Sequence, residues 1–425
     1  MKGVEALLTV TLGPERIPLA RGVRAGGWVF ASGVMATDAR GGPAPEMMNG
    51  PRPLSGLPKR YREASRMFRC AQEVLRAGGT DFPHAVRTDQ YFPDWRAVPF
   101  FHQARRECCG NYIAPSTSIL EPQLRLTQAG MSMEVIAVRP DSGMQVTPVY
   151  PPGLDVPSTS SFVPVVKAGG HVFVAGFLAA WKPGDLGGIA PEAKVPEGHL
   201  WKGNRIQLEA DYIIRNKLMP ALDAAGASLN SAVKAQVYLA DIHDVPAFNQ
   251  VWARHFGEHI PATAFVPALD PGFAIAEARC EINLLALASG GPVKKMRSRP
   301  ASPAVCDGHP VAVKAGDLLC FSGLVASDEG GRVKAGRRKS SSGIAAQMEY
   351  LLDVAEKTCA EFGTSLENVL RIQQFHTDLE EFYPACRAWK RRLHGRPLPI
   401  STLQVPGPLL VPGCTVELDL WVYAP

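Results

Sequence analysis

One apolar stretch of the chain holds two opposite charges at a spacing that could do chemistry. Arg279 and Glu281 stand two residues apart in "RCEINLLAL" (279–287). Side chains two apart on a β-strand point to the same side. Two interpretations follow. The residues form an ion pair at the rim of a sheet, or the guanidinium binds an anionic ligand while the carboxylate acts as a general base.

Other residue types suited to chemistry are less organised. His255 and His259 are four apart, but Gly257 between them indicates the end of a helix, and no third ligand is evident. The sequence contains neither a glycine-rich phosphate loop followed by Lys-Ser/Thr nor a G-x-S-x-G elbow. It therefore predicts no metal site and no cofactor.

Three stretches of the chain are similar to one another. They are "RAGGWVFASG" (24–33), "KAGGHVFVAG" (167–176) and "KAGDLLCFSG" (314–323), with closing glycines 143 and 147 residues apart. After each come a glycine-ended helical pattern, a strand pattern, a second helical pattern, and a proline step before a final strand. This order indicates an α+β fold with helices on one face of a sheet. The sequence predicts three tandem domains, over residues 1–143, 144–292 and 293–425.

Composition narrows the classes of partner. The 425 residues carry a net charge of +5 and only short basic runs, which predicts no nucleic-acid interface. The longest apolar run, "VFVAGFLAAW" (172–181), is about half a membrane span. Nine cysteines without a C-x-x-C pair fit a reducing compartment. We expect a cytoplasmic protein that acts on a small molecule and contacts neither membranes nor nucleic acid.

The second repeat carries a family resemblance. "KAGGHVFVAG", "NSAVKAQVYLADIHDVPAFNQVWARHFGEHIPATAFV" and "CEINLLAL" together resemble the RidA (YjgF) family of small enamine/imine deaminases, and the other repeats match more weakly in the same order. The resemblance implies a chorismate mutase-like β-α-β fold, with outer helices, a central β-barrel-like core, and active sites between the subunits of a trimer. Three copies in one chain then imply a covalent pseudo-trimer, either monomeric or in a small homo-oligomer.

The resemblance also implies candidate site residues, with one departure from the family. The family's Pro-Ala-Arg arginine, which binds the substrate carboxylate, is replaced by a hydroxyl in each repeat: Thr117, Thr263 and Ser401. The family's catalytic glutamate on the last strand matches one acid in each repeat: Glu134, Glu281 and Glu417. The match in the first repeat could be shifted by two positions.

The family's asparagine on the second helix matches Asn249. Spacing from the preceding aspartates puts Ala97 and Cys386 at the same position in the other repeats. Cys386 is either a nucleophile or inert packing. In the second repeat, Arg279 could supply the missing cation beside Glu281.

Two functions of different classes remain. The first is a diverged Rid-family hydrolase or lyase that acts on a small anionic carbonyl- or imine-type metabolite in a cleft between repeats. The alternative is a non-catalytic pseudo-trimer that binds a small ligand. Retention of the strand acids favours the enzyme, whereas loss of every family arginine favours binding, because one neutral hydroxyl cannot replace a bidentate guanidinium.

Overall fold

Helices and strands are mixed along the chain, as an α+β fold requires. The structure is a computed structural model that describes residues 3–49, 56–154, 156–157, 160–180, 187–199, 201–291, 293, 295–298, 308–328, 331–333 and 343–425. The α-helices are α1 (Lys59–Ala77), α2 (Val98–Cys109), α3 (Arg205–Ile213), α4 (Met219–Ala224), α5 (Val245–Phe256), α6 (Gly343–Glu361) and α7 (Phe382–Arg392). One π-helical turn, Ile214–Leu218, joins α3 to α4.

The strands fall into three groups along the chain. The first group is β1 (Glu5–Leu12), β2 (Ile17–Ala25), β3 (Trp28–Val34), β4 (Ala85–Phe92), β5 (Ser116–Leu120), β6 (Gln123–Leu124) and β7 (Ser132–Val138). The second is β8 (Thr147–Val149), β9 (Val165–Ala168), β10 (His171–Phe177), β11 (Ala232–Leu239), β12 (Ala262–Pro267) and β13 (Cys280–Leu287). The third is β14 (Lys295–Arg297), β15 (Ala312–Ala315), β16 (Leu318–Phe321), β17 (Leu324–Val325), β18 (Val369–His376), β19 (Ile400–Gln404) and β20 (Val416–Tyr423).

These strands pair into three sheets with one shared order. The first sheet runs β1-β2-β3-β7-β4-β5, the second β8-β9-β10-β13-β11-β12, and the third β14-β15-β16-β20-β18-β19-β6, with β17 on β20. One pair in each sheet is parallel, namely β4/β5, β11/β12 and β18/β19. Strand β6 is the exception to the grouping, because it leaves the first group and pairs with β19. Within the described residues the strands form separate sheets and no closed barrel.

Helices pack in pairs over one side of the sheets. The contacts join α1 to α2, α3 to α5, and α6 to α7. An aspartate precedes each second helix and accepts a hydrogen bond from the backbone N–H two residues on; these caps are Asp94, Asp241 and Asp378. None of the helices in the described residues has the length and apolar character needed to cross a membrane.

The opposite faces of the three sheets meet in a second apolar cluster. Trp28 and Phe30 of the first sheet contact Phe173 of the second and Trp421 of the third, with ring centroids 6.1 Å and 5.9 Å apart. The indole N–H of Trp28 also donates to the Asp317 carboxylate at 3.0 Å. The three sheets therefore share one interior.

A buried polar network lies beside this cluster, where β4, β11 and β18 approach one another. Arg371 is 1% exposed and forms ion pairs with Glu134 and with Asp89, the latter at 2.8 Å. Lys234 is completely buried and pairs with Asp419 at 2.9 Å. Burial alone lowers the pKa of Arg371, but Glu134 and Asp89 outweigh burial and raise it. These pairs cross from one sheet to another, so the sheets neutralise one another's charges.

We predict that Arg371→Met destabilises the fold by roughly 3–5 kcal/mol, because it leaves the Glu134 carboxylate buried without its cation. Urea denaturation at pH 7 measures the change. Arg391→Met is the matched control, since Arg391 is 53% exposed in its pair with Glu349 and should cost less than about 1 kcal/mol. Equal effects of the two substitutions would contradict a central role for the network.

Candidate functional site

The register of strand pairing decides which acids are equivalent. Glu281 lies opposite Tyr238, and Glu417 lies opposite Phe375, at matching positions of β11 and β18. At the matching position of β4, Tyr91 lies opposite Ser132. The two-residue shift left open for the first repeat is therefore present, and Ser132 stands where the other sheets have a glutamate.

Glu134 consequently occupies a different position. It lies opposite Asp89 and matches Asn283 and Asp419 of the other sheets. Its carboxylate accepts hydrogen bonds from Arg371 and Gln373 in the central network. Glu134 therefore pairs with residues of the third sheet and links the first sheet to it.

Glu281 lies at the first junction, which we define as the contact of Glu281 and Gly176 with Thr117. A Cβ added to Gly176 would stand 2.1 Å from Glu281 Oε1 and 2.8 Å from Thr117 Oγ1. Thr117 Oγ1 also accepts a hydrogen bond from the Asn283 amide at 3.1 Å. The acid of the second sheet thus meets the hydroxyl of the first, and glycine at 176 leaves room for them.

Glu417 lies at the second junction, formed with Gly323 and Thr263. A Cβ on Gly323 would stand 1.9 Å from Glu417 Oε1. The Gly323 N–H donates to the Thr263 carbonyl at 3.0 Å, and the Thr263 N–H donates to Ser322 Oγ at 3.0 Å. Oε1 of Glu417 is buried and has no hydrogen-bond partner among the described residues. Both junctions therefore place a buried glutamate against a glycine that touches the threonine of another sheet, but the Thr263 hydroxyl donates to the Pro261 carbonyl at 2.9 Å.

Burial sets the protonation of both acids. Burial raises the pKa of Glu281 to about 8, opposed by a hydrogen bond from the Ser118 backbone and assisted by Asp89. Burial likewise raises the pKa of Glu417 well above its ordinary range, with Asp419 adding to the effect and Lys234 opposing it. With a pKa of about 8, Glu281 favours the protonated form near neutral pH and can donate a proton to a bound ligand, and burial shifts Glu417 in the same direction.

The second helix of each repeat carries a different side chain at one equivalent position. Counting eight residues from the caps Asp94, Asp241 and Asp378 gives His102, Asn249 and Cys386. His102, and not Ala97, is the first-repeat equivalent, because Asp89 lies inside β4 and Asp94 is the cap.

Among the described residues, Asn249 is the one of these three side chains that forms a recorded hydrogen bond with a segment belonging to another sheet. Its Oδ1 accepts from Nε2 of His309 at 2.7 Å, and the His309 ring lies 5.7 Å from the ring of Phe265 in strand β12. Burial lowers the pKa of His309 to about 4, so the ring is neutral at pH 7. Cys386 is buried and burial raises the pKa of its thiol, which disfavours a reactive thiolate.

The third junction, formed by Ser401, Ile400 and Gly33, lacks an acid of the Glu281 type. A Cβ on Gly33 would stand 2.9 Å from the Ile400 carbonyl oxygen and 3.2 Å from the Ser401 Cα. Ser132 takes the place of the acid in the pairing register. The three junctions are thus related in backbone but differ in their side chains.

Arg279 does not join Glu281. It precedes β13, and its guanidinium bonds Asp244 at 2.8 Å and Asp270 at 3.4 Å. Its backbone N–H donates to Glu209 at 2.7 Å. Arg279 and Glu281 therefore neither pair with each other nor share one binding site. Arg279 binds aspartates, whereas the Glu281 carboxyl lies at the first junction.

Metal ligands are not clustered in the described residues. No group of three or more His, Cys, Asp or Glu side chains there could hold a metal ion. His255 accepts or donates at 2.6 Å with Asp211 and so has a partner of its own.

Comparison with known proteins places the chain in a family. The profile of the family described as Endoribonuclease L-PSP matches residues 154–288 and 300–424, which is more than half of the chain. The chain therefore belongs to this family, and the predicted RidA (YjgF) membership is confirmed.

Individual relatives match one part of the chain. A RutC family protein of Pyrococcus abyssi is 37% identical over 101 residues, 24% of this chain and 68% of the relative. Protein HMF1 of Saccharomyces cerevisiae is 31% identical over 108 residues, 25% of this chain and 82% of the relative.

Solved structures are also similar. A chorismatase covers 80% of this chain and 93% of its own length, at 12% identity and a TM-score of 0.49. Yeast Mmf1 covers 34% of this chain and all of its own, at 26% identity and a TM-score of 0.25.

We predict that the stability of the protein falls with rising pH because of Glu281. The folded state keeps the Glu281 proton up to pH about 8, whereas the unfolded chain releases it near 4.5. Between these values the folded state binds more protons, so the free energy of unfolding drops by up to about 1.4 kcal/mol per pH unit.

Glu281→Gln removes this titration, and its stability should fall less steeply between pH 5 and 8. Urea denaturation across that range measures both slopes. Glu367→Gln is the control, because Glu367 is 62% exposed and should leave the slope unchanged. Parallel curves for wild type and Glu281→Gln would contradict the raised pKa.

Proposed function

We propose that the chain is a Rid-type enzyme, a hydrolase or lyase that acts on a small carbonyl- or imine-type metabolite at the first and second junctions. The observation that carries the proposal is the repeated placement of a buried acid of raised pKa against a glycine that touches a threonine of another sheet. Buried carboxyls with raised pKa values are typical of general acids. Membership of the family supports small-metabolite chemistry of this kind.

The chemistry proposed for an imine uses each acid twice. Glu281 or Glu417 donates its proton to the imine nitrogen, which makes the carbon more electrophilic. The resulting carboxylate then takes a proton from water as the water oxygen bonds to that carbon and the π electron pair moves to nitrogen. Proton transfer to the nitrogen and cleavage of the C–N bond release ammonia and leave a carbonyl.

Neutral donors position the substrate in this proposal. Thr117 serves the first junction, and the amide NH2 of Asn249 serves the second. Neutral His309 gives its one ring proton to Asn249 Oδ1, and the Thr263 hydroxyl donates to the Pro261 carbonyl at 2.9 Å. A hydroxyl donates one uncharged hydrogen bond and cannot grip a carboxylate as the family's arginine does. The anionic character expected of the substrate therefore finds no support in these side chains.

We also propose that the domains 1–143, 144–292 and 293–425 form a covalent pseudo-trimer with a barrel-like core. Three observations support this proposal. The sheets share one strand order, all three contribute side chains to one apolar cluster, and the ion pairs of Arg371 and Lys234 join one sheet to another. Cytoplasmic residence is part of the proposal, in keeping with free cysteines throughout the described residues. Among the relatives, MMF1 is described as mitochondrial.

The pseudo-trimer predicts the mass in solution. Because three sheets already bury their inner faces against one another, the chain should not need two more copies. Light scattering should give the mass of one chain, 45.8 kDa, or twice that mass for a dimer of chains. A stable trimer of chains would contradict the proposal.

The catalytic proposal predicts the behaviour of a double variant. Purified protein is incubated with a panel of small imines and carbonyl compounds, and consumption is followed by NMR. Imines of ordinary amino acids should react near background, because the arginine position holds Thr or Ser. For any compound that is turned over, Glu281→Gln with Glu417→Gln should lower the rate roughly a hundred- to ten-thousandfold.

Binding without turnover is the alternative, and the same experiment separates the two. A compound that binds wild type and the double variant equally, and is consumed by neither, would favour the alternative. Turnover that survives in the double variant would contradict the role given to the acids. Asp223→Asn, a change on the helix α4 away from the junctions, is the control for nonspecific effects.

A further inference from the structure

The first repeat contains a small cavity between its helices and its sheet. The volume is about 10 Å³, which is space for one water-sized guest. Its wall is built by α1, α2, β4, β7 and the loop before β5, and it includes Phe68, Thr88, Phe101, Arg105, Cys109 and Met133. The lining residues all belong to the first repeat, and none of them is part of a junction.

A buried arginine takes the place that tryptophan has in the other two repeats. Eleven residues after the aspartate cap of each second helix stand Arg105, Trp252 and Trp389. Both tryptophans are completely buried, and Arg105 is only 2% exposed. Because arginine is smaller than tryptophan, this substitution accounts for unfilled space in the first repeat. It also puts a guanidinium where the other repeats have an indole.

A second polar side chain lines the same cavity. Three residues before the matched register positions of β4, β11 and β18 stand Thr88, Ala235 and Ile372. Thr88 is 8% exposed, and its Oγ1 is buried without a hydrogen-bond partner among the described residues. The first repeat therefore has a free hydroxyl where the other two have apolar side chains. A buried hydroxyl of this kind can donate to a guest in the cavity.

The Arg105 guanidinium has no anionic partner in the part of the chain that the structure describes. It donates to the Ser160 carbonyl at 2.6 Å and to Ser116 Oγ at 3.4 Å, and its Nε is buried without a partner. Burial lowers the pKa of Arg105 to about 10, so the group remains charged at pH 7. A buried charge without a counter-ion is strongly unfavourable. The cavity therefore lies beside a cation that needs an anion.

The titratable side chains one turn before and one turn after Arg105 on α2 do not supply this anion. A hydrogen bond with Cys108, together with burial, raises the pKa of the Cys109 thiol, which stays protonated. Burial, assisted by Arg105 and Arg106, lowers the pKa of His102 to about 3 and keeps its ring neutral. The Cys109 S–H is instead a further weak donor in the cavity wall.

We propose that this cavity holds one halide ion, chloride or bromide, which neutralises Arg105 and accepts hydrogen bonds from its guanidinium and from the Thr88 hydroxyl. A single atom fits the space, whereas a carboxylate or phosphate is too large. Chloride is slightly larger than water, and the flexible Met133 side chain in the wall can move to admit it.

The ion has a structural role in this proposal. Arg105 belongs to α2, and the Ser160 carbonyl that it binds belongs to the segment leading into the second repeat. Neutralising the guanidinium thus stabilises the attachment of that segment to the first repeat. The inference goes beyond the proposed enzyme function and does not depend on the junction acids.

Crystals of the full chain grown in sodium bromide test the site directly, because bromide gives an anomalous diffraction signal. We expect an anomalous peak inside the cavity, within hydrogen-bond reach of both Arg105 and Thr88. Density for a water molecule without an anomalous signal would overturn the inference. Bromide found only at the protein surface would do the same.

Stability in solution is an independent test. Chloride replaces gluconate at constant ionic strength, so the screening of surface charges does not change. One site that exists only in the folded chain makes the equilibrium constant for unfolding fall about tenfold for each tenfold rise in chloride above the dissociation constant. Urea denaturation measures this constant, and a stability that is the same in chloride and gluconate would contradict the proposal.

Variants locate the effect. Arg105→Trp restores the residue of the other repeats and removes the charge, so its stability should not depend on chloride; Arg105→Met does the same without adding a ring. Thr88→Val removes the hydroxyl and should weaken chloride binding about two- to tenfold. Arg76→Met is the control, because Arg76 is 65% exposed in its pair with Asp81, and it should keep the wild-type dependence. Equal chloride dependence in wild type and Arg105→Met would overturn the inference.

Discussion

The mutual neutralisation of buried charges at the centre of the molecule constrains everything around it. Arg371 and Lys234 are out of contact with water, and each depends on acids that other strands supply. An unpaired ion in such a place costs several kcal/mol, so the three sheets must keep their relative positions. Glu281 and Glu417 precede Asn283 and Asp419 by two residues on the same strands. The network therefore also fixes where the junction acids stand.

Three junctions with one backbone plan now differ in chemistry. Two hold a buried acid against a glycine, and burial raises the pKa of each of these carboxyls. The third has lost the acid, and Ser132 takes its place. Subunits encoded by one gene cannot diverge in this way, because each substitution would appear in every junction. In the proposed pseudo-trimer, a single chain allows each junction to carry its own set of side chains.

Sequence patterns foretold the order of elements because strand and helix periodicities are local properties. They placed Glu281, Glu417, Thr117 and Thr263 within strands, as the structure has them. They could not show that each acid lies against a glycine that touches a threonine of another sheet, because that depends on packing. Ala97 is the wrong equivalent because the spacing that gives it starts from Asp89, which lies inside β4, whereas the aspartate equivalent to Asp241 and Asp378 is Asp94. The pattern "DWRAVP" beside "DIHDVP" was the signal that could have identified Asp94 and hence His102. Local sequence patterns could not predict the aspartate partners of Arg279 or the pairing of β6 with the third sheet, because both depend on contacts between distant parts of the chain.

The central network has a consequence for the history of the chain. The first segment supplies the network with one cation, Arg87, and two anions, Asp89 and Glu134, which sum to a charge of −1 when all are ionised. The second segment supplies Lys234, a charge of +1. In the third segment Arg371 and Asp419 balance. Three copies of the first or second segment alone would therefore gather three like charges on one dry axis. In the proposed pseudo-trimer, this division of charge prevents the first segment or the second from forming the same core as a trimer of identical copies.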